Sequence, residues 1–303
     1  MIKVQFLGTA GSVPTESRGM PAVYLEYNGD RMLFDCGEGT QRQMRIAGLP
    51  FMKLDRIFIS HFHADHCLGL GGMIQTMDLF MRQAKLEIYG PKGIHDVIEK
   101  VITTGNFVLE GFDLEINEIK GKGVKQIFAT KDYMIKCAPL DHNVPCLGFS
   151  FEEQPKRKFL KKKALGLGVP EGPLFSKLKS GESVKVGKRW IEPRQVLDKP
   201  IPGRKITYIP DTRPCAAAVE LAKGSDLLIH ESTFSHDLQE SAIDGRHSTA
   251  REAAQIAKRA KVKMLYLTHI SQRYIKPENL EKEAKEVFTH SKLAKDFDKV
   301  VIG

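Results

Sequence analysis

The amino-acid sequence predicts an α/β fold. Short apolar runs alternate along the 303-residue chain with longer amphipathic runs, and several short runs are almost wholly apolar. Wholly apolar runs are typical of strands buried on both faces, and their alternation with helical patterns is typical of α/β domains. The sequence shows no internal repeat, and 303 residues are enough for one large core or two modest ones.

The individual elements follow from the same periodicities. Strands are predicted at 2–7, 21–27, 31–35, 56–60, 86–89, 133–140, 146–152, 205–209, 226–230 and 263–267. Helices are predicted at 38–47, 68–83, 93–103, 215–223, 249–260 and 277–288. Thr249 and Glu252 match a capping box that opens the fifth helix, and Pro277 suits the first turn of the sixth.

Residues 155–190 differ from the rest of the chain. Eleven basic and two acidic side chains lie between Pro155 and Arg189, an excess of nine that equals the net charge of the whole chain, +9. Glycines and prolines are frequent in the second half of the segment. This composition predicts an inserted, flexible basic arm. It is either a solvated surface loop or a surface that attracts polyanions, such as nucleic acids.

Other features exclude some classes of protein. The five cysteines are widely spaced and form no C-x-x-C pair, which indicates reduced thiols used in core packing. No apolar run approaches the length of a transmembrane helix, and the chain contains no P-loop motif for ATP. The sequence therefore predicts a cytoplasmic protein without a membrane association.

A dense cluster of metal-ligating residue types directly follows the predicted strand 56–60. The six residues His61 to His66 read H-F-H-A-D-H. In an extended turn, His61 and His63 can bind one metal ion, while Asp65 and His66 can bind a second. Imidazole and carboxylate together suit zinc or a similar divalent ion, so the cluster predicts a metal site.

Similar residue types follow three other predicted strands. They are Asp211 after 205–209, His269 after 263–267, and Asp141 with His142 after 133–140. Loops beyond the carboxyl ends of strands gather at one edge of an open α/β sheet, so these side chains could join the cluster. Spacing alone leaves His142, Asp211 and His269 equally open to a ligand role and to an ordinary polar role.

The H-x-H-x-D-H motif after a strand is the signature of the metallo-β-lactamase fold. Within that superfamily the chain resembles ribonuclease Z, the tRNA 3′-processing endonuclease. The resemblance rests on matching motifs at 6–11, 34–41, 59–66, 89–93, 211–213, 230–234, 247–249 and 267–274, which follow the family's order. Residues 169–182 resemble the glycine-proline stretch of the flexible arm, or exosite, with which these enzymes clamp the elbow of precursor tRNA.

The resemblance implies both a fold and an activity. Residues 1–303 would form a single domain of this fold, an αββα sandwich with two mixed β-sheets between helices, from which the flexible arm at 155–190 protrudes. The activity would be a zinc-dependent endoribonuclease that removes the 3′ trailer of precursor tRNA, leaving a 3′-hydroxyl on the tRNA and a 5′-phosphate on the trailer. Two alternatives are a general hydrolase or phosphodiesterase of the same fold, and a non-catalytic RNA-binding protein stabilised by zinc.

The resemblance also implies roles for individual residues. One zinc ion would be held by His61, His63 and His142, and a second by Asp65, His66 and His269, with Asp211 bridging them. Asp65 would also act on the attacking water. His247 would be a general acid or phosphate contact oriented by Glu231; otherwise it is only a helix-entry residue.

Further expectations concern the surroundings of this site and the partners. The RNA-binding residues would be Lys161, Lys162, Lys163, Gly172, Pro173, Lys177, Lys179 and Arg273. A homodimer is expected, in which one subunit clamps the tRNA and the other cuts it. The turn at residues 35–39 is expected to shape the metal loops, and His230 is expected to be buried without being a ligand.

Overall fold

The structure is a computed structural model that describes residues 1–105 and 107–303. The chain divides into two compact units. The larger comprises Met1–Ala129, Met134–Glu152 and Arg204–Gly303, and the smaller comprises Thr130–Tyr133 and Glu153–Gly203.

Most of the strands belong to two sheets of the larger unit. The strands are β1 (Ile2–Gly8), β2 (Ala10–Gly11), β3 (Ala22–Tyr27), β4 (Asp30–Phe34), β5 (Arg56–Phe58), β6 (Leu86–Pro91), β7 (Leu114–Ile119), β8 (Lys125–Ala129), β9 (Tyr133–Leu140), β10 (Cys146–Glu153), β11 (Val184–Val186), β12 (Arg189–Ile191), β13 (Lys205–Ile209), β14 (Leu227–Glu231), β15 (Leu265–Thr268), β16 (Ile270–Ser271), β17 (Ser291–Leu293) and β18 (Lys299–Ile302). The helices are α1 (Thr40–Ile46), α2 (Ala64–Cys67), α3 (Gly69–Leu79), α4 (Ile94–Ile102), α5 (Lys161–Gly166), α6 (Pro173–Lys179), α7 (Pro193–Val196), α8 (Ala216–Ala222), α9 (Gln239–Asp244), α10 (Ala250–Ala260) and α11 (Glu278–Val287).

The first sheet is seven-stranded, in the order β18-β1-β3-β4-β5-β6-β7. Its first four strands pair antiparallel, and the pairs from β4 to β7 are parallel. One face packs against α1, α3 and α4, where Met73 and Ile98 from the helices join Ile57 and Ile88 from the sheet in one apolar core. Burial of these aliphatic side chains is the main favourable contribution to this layer.

The second sheet is also seven-stranded, in the order β17-β15-β14-β13-β10-β9-β8. Strands β13, β14, β15 and β17 are parallel, and β10 pairs antiparallel with β13. Its outer face is covered by α8, α10 and α11, mainly through small residues such as Ala253, Ala257 and Ala284. Small side chains let these helices approach the sheet closely.

Aromatic side chains join the two sheets. Phe34 of β4 lies 6.1 Å from Tyr208 of β13, and Phe58 of β5 lies 5.6 Å from Phe149 of β10, between ring centroids. The larger unit therefore has the helix-sheet-sheet-helix order of an αββα sandwich, and the predicted fold class is confirmed.

The predicted elements all occur, with ends shifted by a few residues. The capping box is confirmed, because Thr249 Oγ1 accepts from the Glu252 backbone N–H at 3.2 Å and Glu252 Oε2 accepts from the Thr249 N–H at 2.9 Å. Pro277 is the N-cap of α11, one residue before the predicted position. All five cysteines are free, as predicted.

The smaller unit contains α5, α6, α7 and the hairpin β11–β12. It has its own apolar core, formed by Ala164, Val169, Phe175, Leu178, Val184, Ile191 and Val196. The predicted arm at 155–190 lies within this unit, which continues to Gly203 and includes Ile191 and Val196 in its core. Across residues 1–105 and 107–303, no helix has both the length and the apolar character needed to cross a membrane.

Candidate metal centre

Four ligand-type side chains from different strand ends meet in a first group. His61 Nε2 lies 3.1 Å from His63 Nδ1, which lies 3.3 Å from His142 Nε2. Asp211 Oδ2 is 3.6 Å from His61 Nε2 and 3.8 Å from His142 Nε2. The loops after β5, β9 and β13 place these atoms together.

A second group lies beside the first. His66 Nε2 is 3.3 Å from His269 Nε2, and Asp65 Oδ2 is 3.5 Å and 3.4 Å from these two nitrogens. Asp211 Oδ1 lies 3.1 Å from His269 Nε2 and 3.4 Å from His66 Nε2. Asp211 therefore offers one carboxylate oxygen to each group, and all seven predicted ligands converge.

The hydrogen bonds around these histidines test whether the cluster suits a cation. In four of these histidines the Nδ1 atom faces outward. His61 Nδ1 lies 3.0 Å from Ser60 Oγ, and His66 Nδ1 lies 2.8 Å from Asp35 Oδ2. His142 Nδ1 lies 3.0 Å from Arg246 O, and His269 Nδ1 lies 2.8 Å from Thr233 Oγ1. When these outward nitrogens carry the protons, the inward nitrogens face each other with lone pairs.

Such lone pairs repel one another unless a cation lies between them. Asp211 Oδ1 is also buried and, among the described residues, receives no hydrogen bond of normal geometry. A buried acceptor without a donor is costly, and a metal ion would satisfy it. The donor set of imidazoles and carboxylates therefore fits a divalent metal cofactor.

The acidic residues of the cluster keep their charge. Burial alone would raise the pKa of Asp65, but the contacts with the His269 and His66 imidazoles hold that pKa well below its ordinary value. Burial opposes ionisation of Asp211 in the same way, and His269 and His66 again lower its pKa well below the ordinary range. Both side chains are thus carboxylates at neutral pH, which is the form that binds a metal.

Asp35 supports the cluster from the turn after β4. It has a left-handed backbone (φ 57°), and its Oδ2 accepts hydrogen bonds from His66 Nδ1, Ser60 Oγ and Tyr208 OH at 2.8, 2.9 and 2.8 Å. At Gly37, a Cβ would lie 2.2 Å from the Asp65 carbonyl oxygen, so only glycine fits there. This geometry agrees with the predicted shaping role of the turn.

Glu231 and His247 form a pair at the rim of the cluster. Glu231 is buried, and its carboxylate accepts from the backbone N–H groups of Ser248, Thr212 and Thr233 at 2.8, 3.1 and 3.0 Å. His247 Nδ1 lies 3.2 Å from Glu231 Oε1 and 3.9 Å from Asp211 Oδ2. Burial would lower the pKa of His247, but the Glu231 and Asp211 carboxylates raise it to about 9.

Sequence reasoning missed two supporting residues. Thr233 Oγ1 contacts both Glu231 Oε2 and His269 Nδ1, each at 2.8 Å, and so links the carboxylate to a ligand-type histidine. Arg213 reaches the His247 carbonyl and binds Glu252 through two nitrogens. Thr233 and Arg213 lie inside the motifs at 230–234 and 211–213. Their position in these motifs could have indicated a supporting role.

The predicted RNA-binding residues belong to both units. Arg273 belongs to the larger unit, where its guanidinium lies 4.8 Å from the centre of the Phe234 ring. The other seven belong to the smaller unit and are all exposed. Among them, Lys161 pairs with Glu171 at 2.8 Å. His230 is fully buried away from the candidate ligand groups, as predicted.

An αββα sandwich with this cluster at its strand ends defines a metal-dependent hydrolase of the metallo-β-lactamase fold. Residues 196–270 match the family model described as β-lactamase superfamily domain, and residues 2–152 match the one described as anti-Pycsar protein Apyc1. The chain is 46% identical to the ribonuclease Z of Methanothermobacter thermautotrophicus, over 98% of this chain and 95% of the relative. It is 44% identical to that of Methanosarcina acetivorans, over 98% and 96%. The chain belongs to the ribonuclease Z family, and it is an endoribonuclease.

Solved structures agree with this assignment. The human short-form tRNase Z superposes with a TM-score of 0.72 at 28% identity, over 99% of each chain. The metallo-β-lactamase fold protein YhfI of Bacillus subtilis superposes with a TM-score of 0.71 at 20% identity, over 99% of this chain and 98% of that one, which supports the fold alone.

Proposed function

We propose that this endoribonuclease removes the 3′ trailer of precursor tRNA, leaving a 3′-hydroxyl on the tRNA and a 5′-phosphate on the trailer. The observation that carries the proposal is the convergence of seven ligand-type side chains in two groups that share Asp211. The human relative is named tRNase Z, which supports tRNA as the class of RNA.

We propose that the metal cofactor is two zinc ions per subunit. His61, His63 and His142 would hold one, Asp65, His66 and His269 the other, and Asp211 both. Neutral imidazoles with carboxylates suit zinc, and the two groups offer separate donor sets on either side of Asp211. Divalent cations in such a site supply a more acidic water and positive charge against the phosphodiester.

Side chains of the protein would carry out the proton transfers. The Asp65 carboxylate, fixed by the Ser12 N–H at 2.8 Å, would orient the attacking water or accept its proton. Glu231 would hold His247 by Nδ1, which leaves Nε2–H to protonate the departing 3′ oxygen. His247 lies just before α10, whose positive N-terminus would favour a phosphate nearby.

We propose that the smaller unit, including the predicted arm, is an RNA-binding exosite. Lys161, Lys162, Lys163, Gly172, Pro173, Lys177 and Lys179 would contact RNA from this unit, and Arg273 from the larger one. The local charge excess supports this role, because basic side chains that displace counterions supply most of the affinity for a phosphate backbone.

A homodimer and a cytoplasmic location complete the proposal. Leu79, Phe80 and Met81 at the end of α3 are consecutive and exposed, at 78%, 59% and 78%. An apolar surface of this kind often marks a protein interface. Light scattering should show a dimer, and Phe80→Asp should yield a monomer; a wild-type monomer would contradict it. Five free thiols suit a reducing compartment.

The decisive experiment uses one trailer-bearing precursor tRNA and the purified protein reconstituted with zinc. We expect one cut that releases the trailer, mapped to the nucleotide on a gel. An uncut precursor, together with rapid hydrolysis of bis(p-nitrophenyl) phosphate, would favour a general phosphodiesterase. Asp65→Ala should abolish turnover and keep tRNA affinity; a wild-type protein that binds tRNA without turnover would indicate a non-catalytic binder.

A further inference from the structure

Trp190 is the only tryptophan of the chain, and it lies on β12 of the smaller unit. The hairpin pairs it with Lys185 of β11. Their neighbours Val184 and Ile191 are 3% exposed and belong to the core of the unit, whereas Trp190 is 64% exposed. Tryptophan is usually well buried, so this ribbon turns its largest aromatic ring to solvent.

The cations beside Trp190 lack acidic partners. Lys185, Lys188 and Arg189 are exposed, and across 1–105 and 107–303 no carboxylate forms an ion pair with any of the three. Elsewhere in the same unit the pattern differs, since Lys156 pairs with Glu153 at 3.6 Å and Lys161 with Glu171 at 2.8 Å. The hairpin therefore keeps its positive charge uncompensated.

An uncovered aromatic ring among free cations suits one kind of partner. Within the described part of the chain, no other ring or cation packs on Trp190. Nucleobases stack on such a ring while cations bind the neighbouring phosphates. An apolar protein surface fits less well, because lysine is depleted from the buried centre of protein interfaces and three unpaired cations would have to be accommodated there.

We propose that the hairpin β11–β12 is a base-stacking contact for the substrate RNA. Trp190 stacks on an unpaired base or on the exposed face of a terminal base pair, Lys185 on the same face of the hairpin holds an adjacent phosphate, and Lys188 and Arg189 add positive charge beside it in the chain. The inference rests on the proposed function in taking tRNA as the RNA. It adds a contact with a base to a unit for which the charge excess argues only phosphate contacts.

Fluorescence gives a direct test, because all tryptophan emission comes from Trp190. Titration with tRNA that lacks a trailer should quench and saturate the emission. Inorganic polyphosphate, which carries charge without bases, should compete with tRNA and leave the emission nearly unchanged. Equal quenching by polyphosphate would overturn the proposal. A change of emission with protein concentration alone, in the absence of RNA, would also overturn it and would indicate contact between copies of the chain.

Substitutions test the energetic contribution. Trp190→Ala should weaken tRNA binding about 5- to 150-fold, the range that corresponds to about 1 to 3 kcal/mol per stacked base. Trp190→Phe should retain most of the affinity, whereas Trp190→Leu, which keeps apolar area without a ring, should behave like alanine. Ile201→Ala is the matched control, since Ile201 is also apolar and 61% exposed in the same unit. A Trp190→Leu variant that binds tRNA as tightly as the wild-type protein would refute stacking.

Cleavage kinetics separate this proposal from the proposed function. With precursor tRNA, Trp190→Ala should raise KM and leave kcat within about twofold, because the contact is uniform binding away from the reacting phosphate. A wild-type protein that cuts no precursor, yet shows quenching and the alanine effect, would refute the function and retain the stacking contact. Normal cleavage with an unchanged KM in Trp190→Ala would refute the stacking contact alone.

Discussion

Replacing His247 by alanine should separate protonation of the leaving group from the rest of the chemistry. Because its pKa is raised to about 9, the His247 side chain is mostly protonated at pH 7. Glu231 holds Nδ1 at 3.2 Å, so the remaining N–H is fixed and available. Glu231 keeps three backbone N–H donors and the Thr233 hydroxyl without His247, so the variant should fold.

The expected loss follows from the role of the proton. The 3′ oxygen of a ribose is a poor leaving group, and a general acid typically contributes 10² to 10⁴, so kcat on precursor tRNA should fall by about that factor. p-Nitrophenolate leaves without a proton, so hydrolysis of bis(p-nitrophenyl) phosphate should fall by less than about tenfold. Both rates are measured at pH 7 on the same zinc-reconstituted preparation.

The pH profile gives a second readout of the same variant. His247 acts in its protonated form, so the wild-type rate on precursor tRNA should fall as pH rises through the pKa of about 9. The variant should lack this fall. His95→Ala is the control, because His95 is an exposed histidine on α4. Equal losses on both substrates, or an unchanged alkaline fall, would refute the assignment of His247 as the acid.

Three further outcomes are expected. Asp35→Asn should weaken zinc binding about 10- to 100-fold, measured by competition with a chromophoric chelator. The reason is that an amide NH₂ cannot accept the hydrogen bonds that the Asp35 carboxylate accepts from His66, Ser60 and Tyr208. Undiminished zinc affinity would contradict the supporting role of Asp35. In the double variant Lys162→Ala, Lys163→Ala, the plot of log tRNA affinity against log salt concentration should become less steep, by about one for each phosphate that the variant no longer neutralises. Hydrolysis of the small diester should be unchanged. An unchanged slope would show that the RNA binds elsewhere. A chelator should abolish cleavage and added zinc should restore it, whereas activity that survives exhaustive chelation would rule out the metal assignment.

The sequence predicts the strands that precede the candidate ligands because those strands are apolar and the candidate ligands lie just beyond their ends. It misses β7 and β8 because both are only partly buried and contain charged residues. The role of the turn at Asp35 could be predicted, but its partner Tyr208 could not, since that contact joins residues far apart in sequence. The basic run does not mark 191–203 as part of the smaller unit, because in this stretch two basic side chains, Arg194 and Lys199, are balanced by two acidic ones, Glu192 and Asp198.

The origin of the candidate ligands has a consequence for the chain as a whole. His61, His63, Asp65 and His66 follow a strand of the first sheet, and His142, Asp211 and His269 follow strands of the second. Neither sheet carries a complete donor set by itself. Activity therefore reports that the two sheets are docked, and fragments separated between them should recover cleavage only by complementation, when they reassociate into one sandwich.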